Sequence, residues 1–127
     1  MTLEEFNKLY KYKTDKDKFN FIDVWEIPEP SEDGFIYADC ESYCRYLKEN
    51  FDKFEEWYYY YCKLDGIGHC VLIKNTDVID CNIRQIVSID EYYMMFNVTE
   101  LRPFTKFQVM SKIIVAQIFL LWRKFFK

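Results

Sequence analysis

The 127-residue chain has one histidine, three glycines and three prolines. The single imidazole leaves His69 as the one histidine that can serve as a base or a metal ligand. No internal repeat or low-complexity tract is visible, which sets aside repeat architectures. No long basic stripe is present either, and a net charge of -4 with pI near 5.1 argues against a nucleic-acid backbone as the main partner. The N-terminus shows no apolar segment followed by a cleavage site, and the five cysteines are odd in number. The expectation is therefore a reducing, cytoplasmic setting with free thiols rather than a disulfide framework.

What the chain does have is apolar and aromatic bulk. Half its residues are hydrophobic and a fifth aromatic, with 11 Tyr and 12 Phe, so disorder is not expected. One domain over residues 1–127 with a single substantial core fits the length. Thr2 followed by Glu4, Glu5 and apolar Phe6, Leu9 and Tyr10 predicts a capped amphipathic helix ending before the charged residues 13–18. Residues 19–27 are apolar and aromatic until Pro28 and Pro30 stop them. Trp25 within them fits a cleft wall or, more simply, the core. A polar turn over 31–34 delivers Phe35, Ile36 and Tyr37 to the stretch that carries the chemistry.

That stretch spans residues 37–82. Small or apolar residues recur at Cys40, Tyr43, Cys44, Leu47 and Phe51, one helical face, with Cys40 in the first turn. Backbone N–H groups and the positive end of the helix dipole there favour a thiolate and predict a lowered thiol pKa. An aromatic run, Trp57 to Tyr61, reads as a strand whose tyrosines alternate faces, leading to the turn at Gly66. His69 to Ile73 reads as the next strand, Lys74 to Asp77 as a turn, and residues 78–83 as the returning strand. A two-residue loop at Asn75 and Thr76 sets Ile73 opposite Val78, Val71 opposite Asp80 and His69 opposite Asn82. His69, Asp80 and Asn82 then project from one side of the sheet.

These residues resemble a known family, the bacterial transglutaminase-like cysteine peptidases of the papain-like superfamily. The resemblance is carried by Asp23-Val24-Trp25-Glu26-Ile27-Pro28, Ala38-Asp39-Cys40-Glu41, Gly68-His69-Cys70-Val71-Leu72 and Val78-Ile79-Asp80-Cys81-Asn82, in family order over roughly residues 20–100. It implies an α+β papain-like domain with the nucleophile helix packed on an antiparallel sheet. It also implies a catalytic triad of Cys40, His69 and Asp80, and a protein or peptide substrate. Some members of that family bind calcium through acidic residues beside the nucleophile, which here are Asp39 and Glu41, oxygen donors of the hard type calcium takes. No other cofactor is implied.

In such a triad His69 takes the Cys40 proton, the thiolate forms a thioester, and Asp80 orients the imidazole. The backbone N–H of Cys40 is the first oxyanion donor, and the second is not identifiable from the chain. A zinc reading of Cys40, Cys44, Cys62, His69, Cys70 and Cys81 lacks paired ligands at short fixed spacings, so Cys44, Cys62, Cys70 and Cys81 are more simply packing residues.

After the hairpin, residues 86–89 continue the sheet, Asp90 to Met95 form a short helix, and 98–104 form a strand that Pro103 marks as an edge. Residues 107–126 form an apolar helix, in which Ile113 to Leu121, interrupted only by Gln117, is about half the ~20 residues a bilayer span needs. The simplest expectation is a helix buried on the sheet. The rival functions to a thiol hydrolase are a non-catalytic binding or structural module on the same fold, and a membrane-surface or partner-binding protein using the C-terminal helix.

Overall fold

The computed structural model describes residues 1–19 and 24–126. Part of the apolar stretch 19–27 expected from the sequence, including Asp23, therefore lies outside the described residues, as does Lys127.

Helix α1 (Leu3–Leu9) begins as the sequence indicates. Thr2 Oγ1 accepts from the Glu5 N–H and the Glu5 carboxylate accepts from the Thr2 N–H, both at 3.1 Å, so two N–H groups at the helix start are satisfied reciprocally. Its one buried residue, Phe6, stacks on Tyr46 at 4.0 Å. The next elements depart from expectation. Strand β1 (Tyr10–Tyr12) pairs in parallel with β2 (Ile36–Ala38), and the charged residues between them include a short helix α2 (Asp15–Phe19). Strand β2 ends where α3 (Cys40–Asn50) begins, with Asp39 between them. The Asp39 carboxylate accepts from the Ser42 N–H at 3.0 Å and caps the helix. Of the helical face expected from the spacing, Cys40, Tyr43, Cys44 and Leu47 are buried, while Phe51 lies just past the helix end and is half-buried.

A 3-10 turn (Asp52–Phe54) leads into the main sheet of β3 (Tyr58–Leu64), β4 (Ile67–Lys74), β5 (Asp77–Ile79) and β6 (Val87–Ser88), followed by α4 (Ile89–Met95), β7 (Val98–Pro103) and α5 (Lys106–Phe126). The strands are ordered β6-β5-β4-β3-β7 and every pairing is antiparallel, so the chain is α+β. Pro103 lies on an edge strand, as expected. Asp65 (φ 51°) and Gly66 (φ 83°) make the two-residue turn between β3 and β4. Left-handed backbone at both positions matches the right-handed twist of the strands, and the second position falls to glycine.

The Asn75-Thr76 turn gives the expected register, with Lys74 opposite Asp77, Ile73 opposite Val78 and Leu72 opposite Ile79. One boundary differs. The returning strand stops at Ile79 instead of running to Ile83, because Asp80 Oδ1 accepts the N–H groups of Asn82 and Ile83, each at 2.9 Å. A short side chain that bonds its own following backbone competes with ladder formation.

The sheet separates two cores. Tyr59, Cys70, Leu72, Ile79 and Cys81 pack with the inner face of α3. Cys62, Val71, Ile73 and Val78 pack with Tyr92 and Val98 on the other side. Trp25 belongs to the first core, 1 % exposed, against Tyr59 at 5.2 Å and Phe104 at 5.3 Å. Its role there is packing. Helix α5 is not buried as a whole: Ala116 is buried and Val109, Phe119 and Leu120 pack on the core, while the opposite side is open. Among the described residues no helix is long and apolar enough to cross a membrane.

Candidate active site

The His69–Asp80 pair is the best-formed part of the site. His69 Nε2 lies 2.7 Å from Asp80 Oδ2. Asp80 has no exposed surface, and both its oxygens are occupied. Oδ2 also accepts from the Tyr92 hydroxyl at 2.5 Å, and Oδ1 takes the two backbone N–H groups of the turn that follows. Burial alone would raise the pKa of this carboxyl. The hydrogen bond and charge of His69 and the hydroxyl of Tyr92 outweigh it and hold the carboxyl below the usual range.

Tyr92 is a partner that sequence reasoning missed. It sits on α4, twelve residues beyond Asp80, across an irregular turn through which no periodicity carries. With Nε2 engaged by Asp80, Nδ1 is the ring nitrogen left for a substrate or a thiol.

Cys40 lies at the head of α3, as expected, in the core that also holds Cys70 and Cys81, the residues that follow His69 and Asp80 in the chain. Its thiol donates to Glu41 Oε2 at 3.4 Å. A bond from the thiol to His69 is not among the hydrogen bonds of the described residues. Strand geometry gives the reason. His69 is paired with Cys62, a residue of the α4-side core, and side chains along a strand alternate, so the ring leaves the sheet opposite to Cys70 and the α3 side. The structure thus joins His69 to Asp80 and brings Cys40 beside their chain neighbours, without joining thiol to imidazole.

The lowered thiol pKa expected at a helix N-terminus is corrected by the surroundings. Burial pushes the Cys40 thiol well above its ordinary value, and the negative charges of Glu41 and Asp39 add to the rise. A helix terminus is worth about 0.3–1 kcal/mol near the surface. That is too little to offset the burial of a thiolate with two carboxylates beside it. At rest the group is a thiol. The other four cysteines are also free and buried, and the Cys44 thiol points at the Cys70 carbonyl at 3.7 Å.

Beside Cys40 lies an acidic cluster. Asp39 and Glu41, the pair expected from the sequence, are joined by Asp15 of α2, with one carboxylate oxygen of each within 4.8 Å of the others. Asp15 is brought in by the parallel β1–β2 pairing and held by the Val24 N–H at 2.6 Å, a long-range placement the sequence does not announce. Burial, with the nearby Asp15 carboxyl, pushes Asp39 up to about 7, against the lowering effect of its bond with Glu41. Burial pushes Asp15 up to about 6, while its bonds to Asp39 and the Val24 N–H oppose the rise. The three side chains offer only hard oxygen donors and concentrated negative charge, so they fit calcium in donor type and charge.

Two cavities stand out, and neither is lined by Cys40, His69 or Asp80. The larger, about 840 Å³, runs between Trp57, Tyr58 and Tyr59 and the first half of α5. The smaller, about 410 Å³, lies between α1 and Arg84. No family model matches the chain, and no curated protein matches it. The class that fold and site define is an α+β protein with a cysteine at the head of a helix on one side of the sheet and, on the other, a strand histidine bonded to an aspartate in the turn after β5.

Proposed function

We propose that the chain is a thiol hydrolase, a cysteine peptidase or amidase of the transglutaminase-like, papain-like kind, acting through Cys40, His69 and Asp80. The observation that carries this reading is the 2.7 Å bond between His69 and a fully buried Asp80, with no bond to the second ring nitrogen among those of the described residues. Asp80 fixes the tautomer and balances the imidazolium. Because the His69 ring and the Cys40 thiol lie on opposite sides of the sheet, proton transfer to Nδ1 requires a rearrangement that carries the ring to the α3 side, not a rotation of the thiol alone. The thiolate adds to a substrate carbonyl carbon, and the Cys40 backbone N–H stabilises the oxyanion. Collapse of the adduct breaks the carbon–nitrogen bond, the imidazolium protonates the departing amine, and a thioester remains. Water, activated by the same imidazole, cleaves the thioester and restores the thiol. A calcium ion held by Asp15, Asp39 and Glu41 would supply positive charge beside the helix, and no step runs through it.

A second reading is favoured by one observation: the resting Cys40 thiol is 7 % exposed, bonded to Glu41, and on the other side of the sheet from the His69 ring. On that reading the chain is a non-catalytic binding or structural module, and the His69–Asp80–Tyr92 network only anchors the turn after β5. Iodoacetamide labelling read residue by residue in a mass spectrometer separates the two. Catalysis predicts that Cys40 is alkylated at a pH where the other four cysteines are silent, and that His69→Ala removes the preference while circular dichroism stays unchanged. Equal, slow labelling of all five cysteines assigns the chain to the binding module.

A further inference from the structure

Helix α5 has 21 residues, about 30 Å at 1.5 Å per residue, and only one of its faces meets the protein. Ala116 is buried, the Phe119 ring meets Phe19 at 6.1 Å, and the Arg123 guanidinium lies over Phe19 at 5.1 Å. Away from that contact Phe107, Met110, Ile114, Ile118, Leu121 and Phe125 recur at spacings of three and four and form an apolar stripe along the whole helix, with Met110 and Ile114 also at the wall of the larger cavity. Each is between 47 and 81 % exposed. Six such side chains in one line exceed the few hundred Å² that a monomer ordinarily leaves open without a partner.

Charge selects the partner. In a chain of net charge -4, α5 carries Lys106, Lys112, Arg123 and Lys124 and no acidic residue. At about 100° per residue, Lys106 and Lys124 border one edge of the stripe, whereas Lys112 and Arg123 fall on the side of buried Ala116. Two copies packed stripe to stripe would bring cation against cation with no carboxylate on either helix to answer them. An anionic lipid surface answers both features: acyl chains take the stripe, and headgroups take Lys106 and Lys124. The acidic remainder of the chain is repelled by the same surface, which leaves α5 as the side that faces it.

We propose that α5 is an interfacial membrane helix that lies flat on an anionic bilayer with its Phe107-to-Phe125 stripe in the acyl boundary. The surface does not depend on the thiol chemistry, so Cys40→Ala binds as well as the parent chain.

The test is sedimentation of the full chain with vesicles of phosphatidylcholine containing phosphatidylserine, and with phosphatidylcholine alone. The exposed Trp122 serves as a reporter, since Trp25 and Trp57 are already buried. Expected are binding to the anionic vesicles with a blue shift of the indole emission, release by raised salt, and little binding to the neutral vesicles. Ile114→Glu with Ile118→Glu abolishes binding with the fold retained, because both positions are open to solvent. Lys106→Gln with Lys124→Gln weakens it about thirtyfold, at the weight of one membrane-proximal lysine each. Failure of the parent chain to bind anionic vesicles overturns the proposal, as does equal binding to neutral ones. So does a dimer in solution that the paired glutamate substitutions dissociate while no lipid binding is seen.

Discussion

Asp39→Asn is the perturbation that most directly probes the electrostatics beside Cys40. Asparagine caps a helix about as well as aspartate, so the bond to the Ser42 N–H survives and only the charge is lost. A carboxyl raised from 3.8 to about 7, at 1.36 kcal/mol per unit, costs about 4 kcal/mol when fully ionised. Because the folded pKa lies above the unfolded one, the associated stability is complete below pH 4 and is lost as pH rises through 7. The variant should match the parent near pH 3, exceed it by about 1.5 kcal/mol at pH 5 and exceed it near pH 8 by up to about 4 kcal/mol, roughly 15 °C in melting temperature. The figure is an upper bound, since Asp15 and Glu41 still repel one another in the variant. Thermal melts of both proteins over this pH range, in chelator, give the difference directly, and pH effects common to both cancel. Added calcium should raise the parent at pH 8 and reverse the order. A variant less stable than the parent at pH 8 in chelator would refute the reasoning, because the cluster would then be held by attraction not accounted for among its carboxylates.

Other outcomes follow from the turn after β5 and from the β3–β4 hairpin. Asp80→Asn removes the charge that binds His69 and Tyr92, and should cost about 3–5 kcal/mol in urea unfolding with an unchanged denaturant slope. The Asp80 pKa is depressed in the fold, so the difference between parent and variant should be full above pH 4 and shrink as the pH falls further. Tyr92→Phe, which loses one bond to the same charged acceptor, should cost about 1.5–3 kcal/mol, and an effect below half a unit would mean Tyr92 is not carrying it. Gly66→Ala meets no atom within 4 Å yet keeps φ at +83°, so backbone strain alone predicts a loss of about 1–2 kcal/mol. No loss would show that the turn relaxes.

Local signals were legible in the chain, and long-range ones were not. The capping box at Thr2, the helical face from Cys40 to Leu47, the register across Asn75-Thr76 and the edge position of Pro103 each follow from a few adjacent residues whose spacing fixes a turn or a face. The shared side of His69 and Asp80 follows from that register by parity alone. The three-residue β1 and β2 have no period to read, so the parallel pairing that brings Asp15 to Asp39 stayed hidden. Tyr92 reaches Asp80 across an irregular turn. For Cys40, helix position was readable and depth was not, and depth decides the protonation of the thiol. The α5 sequence tells how apolar the helix is, but not that only one side has a neighbour.

The five free, buried cysteines have a bearing on handling the protein. While the chain stays folded, packing keeps oxidants and stray disulfide partners away from sulfur. Once it opens, five thiols are released together, and random pairing among them competes with the return to order. Heating in air should therefore be a one-way journey whose apparent midpoint drifts with scan speed, whereas the same scan under a reductant should retrace itself on cooling.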